Sequence, residues 1–494
     1  MYFWLRIINM INIDIIGREE ERGLLEGILA NGIADLVAVY GRRRIGKTFL
    51  IRNCLQNHIS FEYSGIHNVD TAVQLNGYCQ ALAKQLNNNI DLPIAVDWFA
   101  AFELTAKLIQ KKLHRKKTVL FLDEFPWMQT PKSNFLAAFE QFWNTWASKQ
   151  NNLAIILCGS AASWMIQNVV RNRGGLHNRI TQKIALQPFT LYETEAFLKS
   201  RNVQLNRYQM TQLYMAFGGV PHYLNQVSAG QSAVQIIEKA CFTKSGFLYN
   251  EFTDLYQALF DSADRHFKVI KALAAKPMGL NRNEIIRMCK LQSGGSTTNL
   301  LEELSASGFI TPYIPMGKKV KDSIYKLTDE YSLFYLKFME PNRGGSKGTW
   351  ARLSDTPAWK SWSGFAFESI CSKHIPAVKI ALGITGIYSE TSIWKSRGNS
   401  SNGGAQIDLV ISRRDNCINL CEIKFYENKF SLDKKYAAAL HQKKNVFRLE
   451  TKTNKHLFIT LITIMGIQRD ENSIGLIDQY LTIDDLFVSW QKEG

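Results

Sequence analysis

A glycine-rich loop near the start of the chain carries the side chains best suited to hold a phosphate. Gly41, Gly46, Lys47 and Thr48 have the spacing G-x-x-x-x-G-K-[ST], with an apolar strand pattern before them and a helical pattern after them. Glycines let backbone N–H groups curl around phosphate oxygens, and the N-terminus of the following helix adds a favourable dipole. We expect the Lys47 ammonium to reach the β- and γ-phosphates of ATP, and the Thr48 hydroxyl to bind Mg²⁺. The predicted nucleotide-binding segment is Gly41, Arg42, Arg43, Arg44, Ile45, Gly46, Lys47, Thr48 and Phe49. Its arginines are expected to be charges on the loop surface.

Two acidic residues end a later apolar run, where they can serve the same phosphate chemistry. The strand pattern of "TVLFLDEF" ends at Asp123 and Glu124, and ligands of open parallel sheets bind at the carboxyl ends of the strands. We expect Asp123 to hold Mg²⁺ through water, and Glu124 to orient or polarise the attacking water. Ser160 ends another apolar run, "LAIILCGS", and is expected to sense the γ-phosphate. The alternative is a strand that ends in a solvated acidic turn.

A second group of carboxylates lies near the end of the chain. The stretch "QIDLVISRRDNCINLCEIKFY" predicts a β-hairpin of Gln406–Ser412 and Cys417–Phe425 around the turn "RRDN". Glu422 and Lys424 leave the same face of one strand, and Asp408 lies on the partner strand. Carboxylates with a lysine at the edge of a small sheet can bind Mg²⁺ and orient water for phosphodiester hydrolysis.

The order of elements between these two sites predicts a winged helix-turn-helix. "NRNEIIRMCKLQSGGSTTNLLEELSASGFITPYIP" contains two helical patterns separated by "LQSGGS", and a hairpin with the turn "MGKKVKDS" follows. We expect Ser296 to cap the second helix and the start of that helix to be exposed, where it can contact base edges or phosphates. The side chains expected to contact DNA are Ser296, Thr297, Thr298, Asn299, Lys318, Lys319 and Lys321. The alternative is a protein-interaction or spacer module.

Three further stretches, together with the phosphate loop, resemble the signal-transducing ATPases of the AAA-related P-loop class. This family is common in archaea and many bacteria. "IIGREEE" (Ile15–Glu21) resembles the family's opening motif, "LHNRITQKIALQPFT" its segment after the sensor strand, and "GGVPHYL" (Gly218–Leu224) the G-x-P signature of its helical lid. The resemblance implies that Arg18 and Pro221 lie near the nucleotide base. It also implies that Arg179 contacts the γ-phosphate, in the same chain or from a neighbouring copy, which leaves self-association open.

The C-terminal carboxylates carry a second resemblance. Asp408 followed by the triplet "EIK", which ends at Lys424, resembles the motif of the PD-(D/E)XK nuclease superfamily, and a domain of this type typically ends the ATPase family named above. Ile407 stands where the name motif has proline. The resemblance implies a nuclease-like fold with Asp408 and Glu422 as metal ligands and Lys424 as a catalytic residue. Glu368, in the helical stretch "GFAFESIC", can add a third catalytic carboxylate. From the residues alone, a salt-bridged and solvated strand face stays open.

The chain is therefore expected to be an α/β protein of several domains. A P-loop NTPase parallel sheet with a helical lid comes first, a winged helix-turn-helix second, and a small α/β domain of the PD-(D/E)XK type last. The predicted domains are an ATPase core at 1–190, a lid at 191–260, a winged helix at 261–345 and a nuclease-like domain at 346–494. The clearest predicted strands are Leu36–Tyr40, Ile59–Tyr63, Val119–Leu122 and Ala154–Cys158. They are nearly continuous in apolar character, which is typical of strands in a sheet that is covered on both faces. The glycine-rich segment Pro341–Trp350 is the predicted linker.

Composition indicates the partners and the surroundings. The 494 residues carry a formal charge of +16, which favours an acidic partner, and nucleic acid is the commonest one. The eight cysteines form no C-x-x-C pair, which argues against structural zinc and favours reduced core thiols such as Cys158 and Cys421. The apolar start "MYFWLRIINMINI" is too short to span a bilayer. We expect a cytoplasmic protein that binds ATP and DNA and has no membrane partner.

Three functions are consistent with these parts. The first is an ATP-driven switch coupled to a DNA-directed effector. The second is a DNA-binding regulator that uses ATP as a ligand and the C-terminal fold as a scaffold. A toxin–antitoxin-like or defence component would contain the same parts.

Overall fold

The computed structural model describes residues 15–113, 116–171, 174–260, 263–396, 398 and 404–490. The apolar start of the sequence lies outside these ranges. Contacts divide the chain into two compact units, residues 1–187 and 188–494. The subdivision of the second unit into lid, winged helix and nuclease-like domain stays a prediction. Within the described ranges no helix combines the length and the apolar character that a membrane crossing requires.

The first unit is built on a five-stranded parallel sheet with the strand order β2-β3-β4-β1-β5. Its strands are β1 (Asp35–Tyr40), β2 (Ile59–Ser64), β3 (Thr118–Asp123), β4 (Leu153–Gly159) and β5 (Gln182–Ala185). Its helices are α1 (Glu19–Ala30), α2 (Lys47–Leu55), α3 (Thr71–Leu86), α4 (Trp98–Gln110), α5 (Phe125–Met128), α6 (Phe135–Thr145) and α7 (Ala162–Met165). The parallel α/β core is confirmed, and each of the four predicted strands is found to within one residue at either end.

Burial of the central strands explains their apolar runs. Every residue of β3 and β4 is buried, because one apolar core that includes Phe61 and Phe125 and a second that includes Val39 and Ile51 pack against the sheet. The registers of the strands align their carboxyl ends, since Tyr40 at the end of β1 pairs with Gly159 at the end of β4. The loops that follow β1, β3 and β4 therefore leave the same edge of the sheet.

A buried ion pair ties β1 to the residue before β3. The Lys117 ammonium lies 2.8 Å from the Asp35 carboxylate, and both side chains are almost completely buried. The same ammonium donates to the Asn31 side chain at 2.7 Å, and the Thr181 hydroxyl donates to Asp35 at 2.9 Å. Sequence analysis did not identify this pair. Its burial is tolerable because both charges have several hydrogen-bond partners.

The second unit contains the helices α8 (Leu191–Ser200), α9 (Arg207–Phe217), α10 (Pro221–Leu224), α11 (Ala233–Ile237), α12 (Glu251–Gln257), α13 (Ala263–Ala274), α14 (Arg282–Cys289), α15 (Gly295–Ala306), α16 (Glu330–Phe334), α17 (Thr349–Leu353), α18 (Pro357–Lys373), α19 (Ile375–Ala381) and α20 (Lys434–Thr451). Its strands are β6 (Leu280–Asn281), β7 (Ile310–Tyr313), β8 (Ile324–Leu327), β9 (Ser389–Ser396), β10 (Ala405–Arg413), β11 (Cys417–Lys424), β12 (His456–Thr463) and β13 (Gln479–Leu481). One continuous apolar core extends from Phe189 to Phe487.

Two sheets organise this unit. A small antiparallel sheet has the order β6-β8-β7. Its strand β6 lies between α13 and α14, and β7 and β8 follow α15. The second sheet has the order β13-β12-β11-β10-β9 and mixes antiparallel pairs at β9, β10 and β11 with parallel pairs at β11, β12 and β13. The predicted C-terminal hairpin is confirmed as β10 and β11, in which Val410 lies opposite Leu420.

The start of α15 differs from its prediction. Gly294 is the N-cap residue, so the prediction that Ser296 caps this helix is wrong. Thr297 is fully buried and its hydroxyl donates to the carbonyl oxygen of Gln292 at 2.7 Å. Thr297 therefore cannot be one of the exposed side chains, whereas Ser296, Thr298 and the turn lysines of the β7–β8 hairpin are exposed.

The segment predicted as a linker ends inside the core. Trp350 is only 1 % exposed, and its backbone N–H donates to the Glu238 carboxylate at 2.6 Å. The same carboxylate accepts from the Gly348 N–H at 2.9 Å. Glu238 thus anchors the end of the glycine-rich segment to the helical part of the unit.

The cysteines agree with the sequence analysis. All eight are unpaired, and Cys158 and Cys421 are completely buried. Burial raises the pKa of the Cys158 thiol well above its ordinary value. These groups are neutral core thiols.

A buried imidazole joins α8 to the junction of α18 and α19. His374 Nε2 accepts from the Leu191 N–H at 2.9 Å, and Nδ1 lies 2.8 Å from the carbonyl oxygen of Ile370. These partners require a neutral ring with its proton on Nδ1. Burial lowers the pKa of His374 from 6.5 to about 4.

This imidazole makes the stability of the second unit depend on pH. Because the folded pKa lies below the unfolded one, its contribution is present above pH 6.5 and is lost as the pH falls towards about 4. We expect the free energy of unfolding to fall by on the order of 3 kcal/mol from this group between these pH values. Denaturant unfolding over that range measures the slope. His374→Gln should flatten it, whereas His441→Gln, at an exposed position of α20, should not. Equal slopes for His374→Gln and the parent chain would contradict this role.

Candidate functional site

The loop between β1 and α2 has a backbone that glycine alone can adopt at its first position. Gly41 has φ 148°, and a Cβ atom there would collide with the carbonyl oxygen of Leu186. Gly46 is the N-cap residue of α2 with φ 92°, in the left-handed region that favours glycine. The loop therefore closes tightly after β1 and places the N-terminus of α2 at the sheet edge. Such a helix terminus is a ready site for a phosphate.

Lys47 is the buried cation of this loop. Only 6 % of its side chain is exposed, and its ammonium donates to the carbonyl oxygens of Gly41 at 3.1 Å and Arg42 at 3.0 Å. The side chain therefore folds back along the loop, and the charge lies where the loop curls. A cation held in this position is suited to bind phosphate oxygens.

Thr48 and Asp123 face each other across the carboxyl edge of the sheet. Thr48 lies in the first turn of α2 and Asp123 is the last residue of β3, and the Thr48 hydroxyl donates to Asp123 Oδ2 at 2.9 Å. A hydroxyl and a carboxylate in contact supply the hard oxygen ligands that Mg²⁺ prefers. The donor set fits a magnesium ion held jointly with a phosphate.

Glu124 is held by Ser160. Glu124 follows β3 with φ 43°, a left-handed conformation that is unusual for a residue other than glycine. Its Oε2 accepts from the backbone N–H of Ser160 at 3.0 Å and from the Ser160 hydroxyl at 2.8 Å. The two residues predicted from separate strand ends are thus brought together. Backbone strain of this kind clusters at functional sites.

The three arginines of the loop are not equivalent. Arg42 is buried, so its prediction as a charge on the loop surface is wrong. Arg43 and Arg44 are partly exposed, as expected for a loop. Ile45 is buried in the core beside the loop, whereas Phe49 on α2 is 43 % exposed. The apolar Ile45 side chain therefore helps to anchor a segment whose other side chains are mostly polar.

Arg18 is a buried residue beside the same loop. One of its guanidinium nitrogens donates to the carbonyl oxygen of Gln187 at 2.6 Å and lies 3.5 Å from the carbonyl oxygen of Ile45. The guanidinium also forms an ion pair with Glu21 at 3.7 Å. Arg18 thus connects the opening motif to the phosphate loop. Its predicted contact with a nucleotide base stays a prediction.

Arg179 and Pro221 belong to different units of the chain. Arg179 is exposed in the turn that precedes β5 of the first unit. Pro221 is the first residue of the short helix α10 in the second unit. Their predicted contacts with the γ-phosphate and the base stay predictions.

The C-terminal group does come together in the second unit, on the β10–β11 hairpin. Asp408 Oδ2 accepts from the backbone N–H of Ile423 at 3.0 Å. Glu422 is 2 % exposed, and its carboxylate accepts from the Lys443 ammonium at 2.7 Å through both oxygens. The Lys424 ammonium lies further away, at 3.9 Å. Burial and the neighbouring Asp408 raise the pKa of Glu422, whereas Lys443 opposes that change.

Glu368 and Lys326 complete this cluster. Burial, followed by repulsion from Asp408, raises the pKa of Glu368 to about 8. Burial lowers the pKa of Lys326, against the attraction of Glu368 and Asp408. We define the carboxylate–lysine cluster as Glu368, Asp408, Glu422, Lys326, Lys424 and Lys443. Its three carboxylates are matched in number by three lysines.

Sequence analysis missed two of these lysines. Lys326 lies on β8, in the short run "IYKL", and Lys443 lies on α20, in "HQKK". One lysine in a short apolar strand and a pair of lysines on a helix are both common, and nothing in their spacing connects them to the C-terminal motif.

The contacts within the cluster compete with metal binding. Both oxygens of Glu422 are engaged by Lys443, and one oxygen of Asp408 is engaged by a backbone N–H. In the part of the chain that the structure describes, no three His, Cys, Asp or Glu side chains are grouped so that they could hold a metal. The predicted metal ligation by Asp408 and Glu422 stays a prediction.

Comparison with known proteins agrees with the geometry of the first site. Residues 15–227 match the family described as an ATPase domain found predominantly in Archaea. The match supports a P-loop ATPase domain. That family implies nucleotide binding, for which Mg²⁺ is typical. The matched region contains the phosphate loop, the Asp123–Glu124 strand end and the segment around Pro221.

Three individual proteins extend the comparison. An uncharacterised protein of Methanocaldococcus jannaschii is 22 % identical over 442 residues, which is 88 % of this chain and 93 % of that protein. The Walker-type ATPase PABY2304 of Pyrococcus abyssi is similar with a TM-score of 0.47 and 17 % identity, over 66 % of this chain and 97 % of that one. The ORC2 protein of Aeropyrum pernix, in ADPNP–ADP complexes, has a TM-score of 0.41 and 15 % identity, over 65 % and 93 %.

The contact between Lys443 and Glu422 should weaken metal binding at the Glu422 carboxylate. Replacing Lys443 by Met removes a cation that competes for both oxygens of Glu422, so we expect the affinity for Mn²⁺ to rise about tenfold or more. Electron paramagnetic resonance of the full chain, titrated with Mn²⁺ at about pH 8 without nucleotide, measures this affinity.

The matched control is Lys444→Met on the same helix, which should leave Mn²⁺ binding unchanged. Adding Glu422→Gln to Lys443→Met should remove the gain. If Lys443→Met binds Mn²⁺ as weakly as the parent chain, Lys443 does not exclude the cation.

Proposed function

We propose that this protein is an ATP-binding and ATP-hydrolysing molecular switch, coupled to a DNA-binding winged helix and a nuclease-like effector domain. The observation that carries the proposal is the grouping of the Lys47 ammonium, the Thr48 hydroxyl and the Asp123 carboxylate at one sheet edge. This is the combination of a phosphate-binding cation with magnesium ligands that nucleoside triphosphates need.

Each group has a role in hydrolysis. Lys47 binds the β- and γ-phosphates, and Thr48 and Asp123 would hold Mg²⁺, which neutralises phosphate charge when bound. Glu124 orients the attacking water, and its contact with Ser160 fixes the direction of its carboxylate. Arg18 and Pro221 are proposed to lie near the base. Arg179 is proposed to contact the γ-phosphate, in the same chain or from a second copy, and its exposure is compatible with either.

The DNA-binding role is proposed for α14, α15 and the β7–β8 hairpin. The start of α15 exposes Ser296, Thr298 and Asn299, and the turn of the β7–β8 hairpin exposes Lys318, Lys319 and Lys321. Polar side chains at the start of such a helix reach base edges, and lysines on a wing neutralise phosphates. The formal charge of +16 supports an acidic partner.

A second candidate is a non-cleaving, ATP-responsive DNA-binding regulator with an inactive nuclease-like scaffold. The contact of Lys443 with both oxygens of Glu422 favours it, because the cluster is neutralised by lysines. A panel of DNA substrates incubated with Mg²⁺ or Mn²⁺ separates the candidates. Cutting that is lost in Asp408→Ala supports the nuclease, and binding without cutting supports the regulator.

The nucleotide site is tested by two substitutions with different expected effects. Lys47→Ala should abolish measurable ATP binding in calorimetry, because the phosphates lose their buried cation. Glu124→Gln should keep ATP affinity within about threefold and lower the hydrolysis rate by about 100-fold or more, because the amide cannot act as a base. Lys107→Ala and Glu103→Gln, an exposed pair on α4, are the controls. A parent chain without affinity for ATP would refute the proposal.

The coupling is tested by DNA affinity in the presence of ATP, ADP or no nucleotide. We expect a difference of about fivefold or more between ATP and ADP, measured by fluorescence anisotropy on duplex DNA. Replacing Lys318, Lys319 and Lys321 together by Ala should weaken DNA binding. The slope of log affinity against log salt concentration should also become shallower by about one unit per lost phosphate contact. Replacing Lys111 and Lys112 by Ala is the control. Identical DNA affinity in all nucleotide states would refute the coupling.

A further inference from the structure

A polar side chain is completely buried in the core of the first unit. Gln74 of α3 has no exposed surface, and Leu75 and Tyr78 of the same helix belong to an apolar core. Burying a carboxamide costs free energy unless its polar atoms are paired. An apolar residue of the same length would avoid that cost, which indicates that the contacts of the carboxamide matter.

All four hydrogen-bonding positions of the Gln74 carboxamide are used. Its oxygen accepts from the Tyr63 hydroxyl at 3.0 Å and from the Ile66 N–H at 3.2 Å. Its nitrogen donates to the carbonyl oxygen of Ile66 at 2.7 Å and to that of Trp127 at 2.8 Å. Two donors and two acceptor positions are the full capacity of this group. Gln74 therefore joins the loop after β2 to the short helix α5.

The helix α5 begins directly after Glu124. The Trp127 N–H donates to the carbonyl oxygen of Glu124 at 2.9 Å, and the Trp127 carbonyl oxygen accepts from Gln74. A helix of only four residues is not stable by itself, because helix formation needs several turns or tertiary contacts. The contact with Gln74 therefore supports the turn through which the backbone leaves Glu124.

The loop after β2 passes close to the same residue. Gly65 precedes Ile66, and a Cβ atom at Gly65 would lie 2.6 Å from the carbonyl oxygen of Glu124. Glu124 has φ 43°, in the left-handed region, and such a backbone persists only where its surroundings hold it. Gln74 binds both polar backbone atoms of Ile66. It thus holds two segments that confine the Glu124 backbone.

We propose that Gln74 is a positioning residue for ATP hydrolysis. Its carboxamide fixes the loop after β2 and the start of α5, and through them the direction in which the Glu124 carboxylate meets the attacking water. This role rests on the proposed function and deepens it, because Gln74 lies in none of the sequence motifs. Among the described residues Gln74 has no hydrogen bond to Lys47 or Thr48. It should therefore affect the rate of hydrolysis and not the affinity for ATP.

Gln74→Met tests this role in the full chain, because it removes the carboxamide and keeps the length of the side chain. We expect kcat for ATP hydrolysis to fall about tenfold or more, while ATP affinity in calorimetry stays within about threefold. In a Glu124→Gln background the same substitution should leave the residual single-turnover rate unchanged, since Gln74 acts through that carboxylate. A merely structural role would lower the rate in both backgrounds.

Tyr78→Phe is the matched control on the same helix. It removes a buried hydrogen bond to the Thr105 hydroxyl, 2.9 Å long, and should leave kcat unchanged.

Gly65→Ala is a second test that keeps the carboxamide, and it decides the question if Gln74→Met does not fold. The added Cβ atom displaces the Glu124 carbonyl, so kcat should again fall about tenfold while ATP affinity stays within about threefold. Its control is Gly27→Ala on α1, where a Cβ atom has open space and kcat should not change.

The role is overturned if Gln74→Met, or Gly65→Ala in its place, hydrolyses ATP at the parent rate. It is also overturned if ATP affinity falls as much as the rate, or if Gln74→Met lowers the rate equally with and without the Glu124 carboxylate. In these cases hydrolysis by the parent chain leaves the proposed function standing. A parent chain that binds no ATP refutes the proposed function itself.

Discussion

A buried ammonium inside a tight backbone loop is the interaction on which the first unit depends for its chemistry. The Lys47 ammonium donates to two carbonyl oxygens of its own loop. That loop can pass close to the Leu186 carbonyl only because Gly41 has no side chain. The parallel sheet contributes the other half, since its registers align the ends of β1, β3 and β4. The aligned strand ends place Asp123 and Glu124 at the same sheet edge as Lys47 and Thr48.

The acidic residues Asp123 and Glu422 both lie on sheet strands, but their surroundings differ in charge. Both are placed at strands, but Asp123 contacts a neutral hydroxyl, whereas Glu422 contacts a lysine through both oxygens. The first arrangement leaves a carboxylate suited to a divalent ion. The second is a largely buried ion pair, and removal of either partner would leave an uncompensated charge. A motif therefore identifies the carboxylates, and their neighbours from other elements decide the chemistry.

Local patterns predicted what local physics determines. The four central strands and the phosphate loop follow from apolar runs and glycine spacing, and the C-terminal hairpin follows from alternation around "RRDN". Contacts between distant segments were not predictable in this way. Lys443 reaches Glu422 from a helix 21 positions later, and Lys117 reaches Asp35 from 82 positions away. The prediction that Ser296 caps α15 was wrong because the helix begins two residues earlier, after Gly294. Residue propensities do not locate a helix end to within two residues.

Glu238 and Trp350 bear on how the polypeptide can be divided. A reader of the sequence would cut it in the glycine-rich stretch before Trp350, yet that indole is buried against Phe334, Phe338 and Phe242. A fragment that begins there would leave this aromatic surface in water, and an N-terminal fragment that stops there would expose its counterpart. Both pieces would be prone to aggregate. The junction near residue 188 is the position at which the molecule separates with its apolar interiors intact.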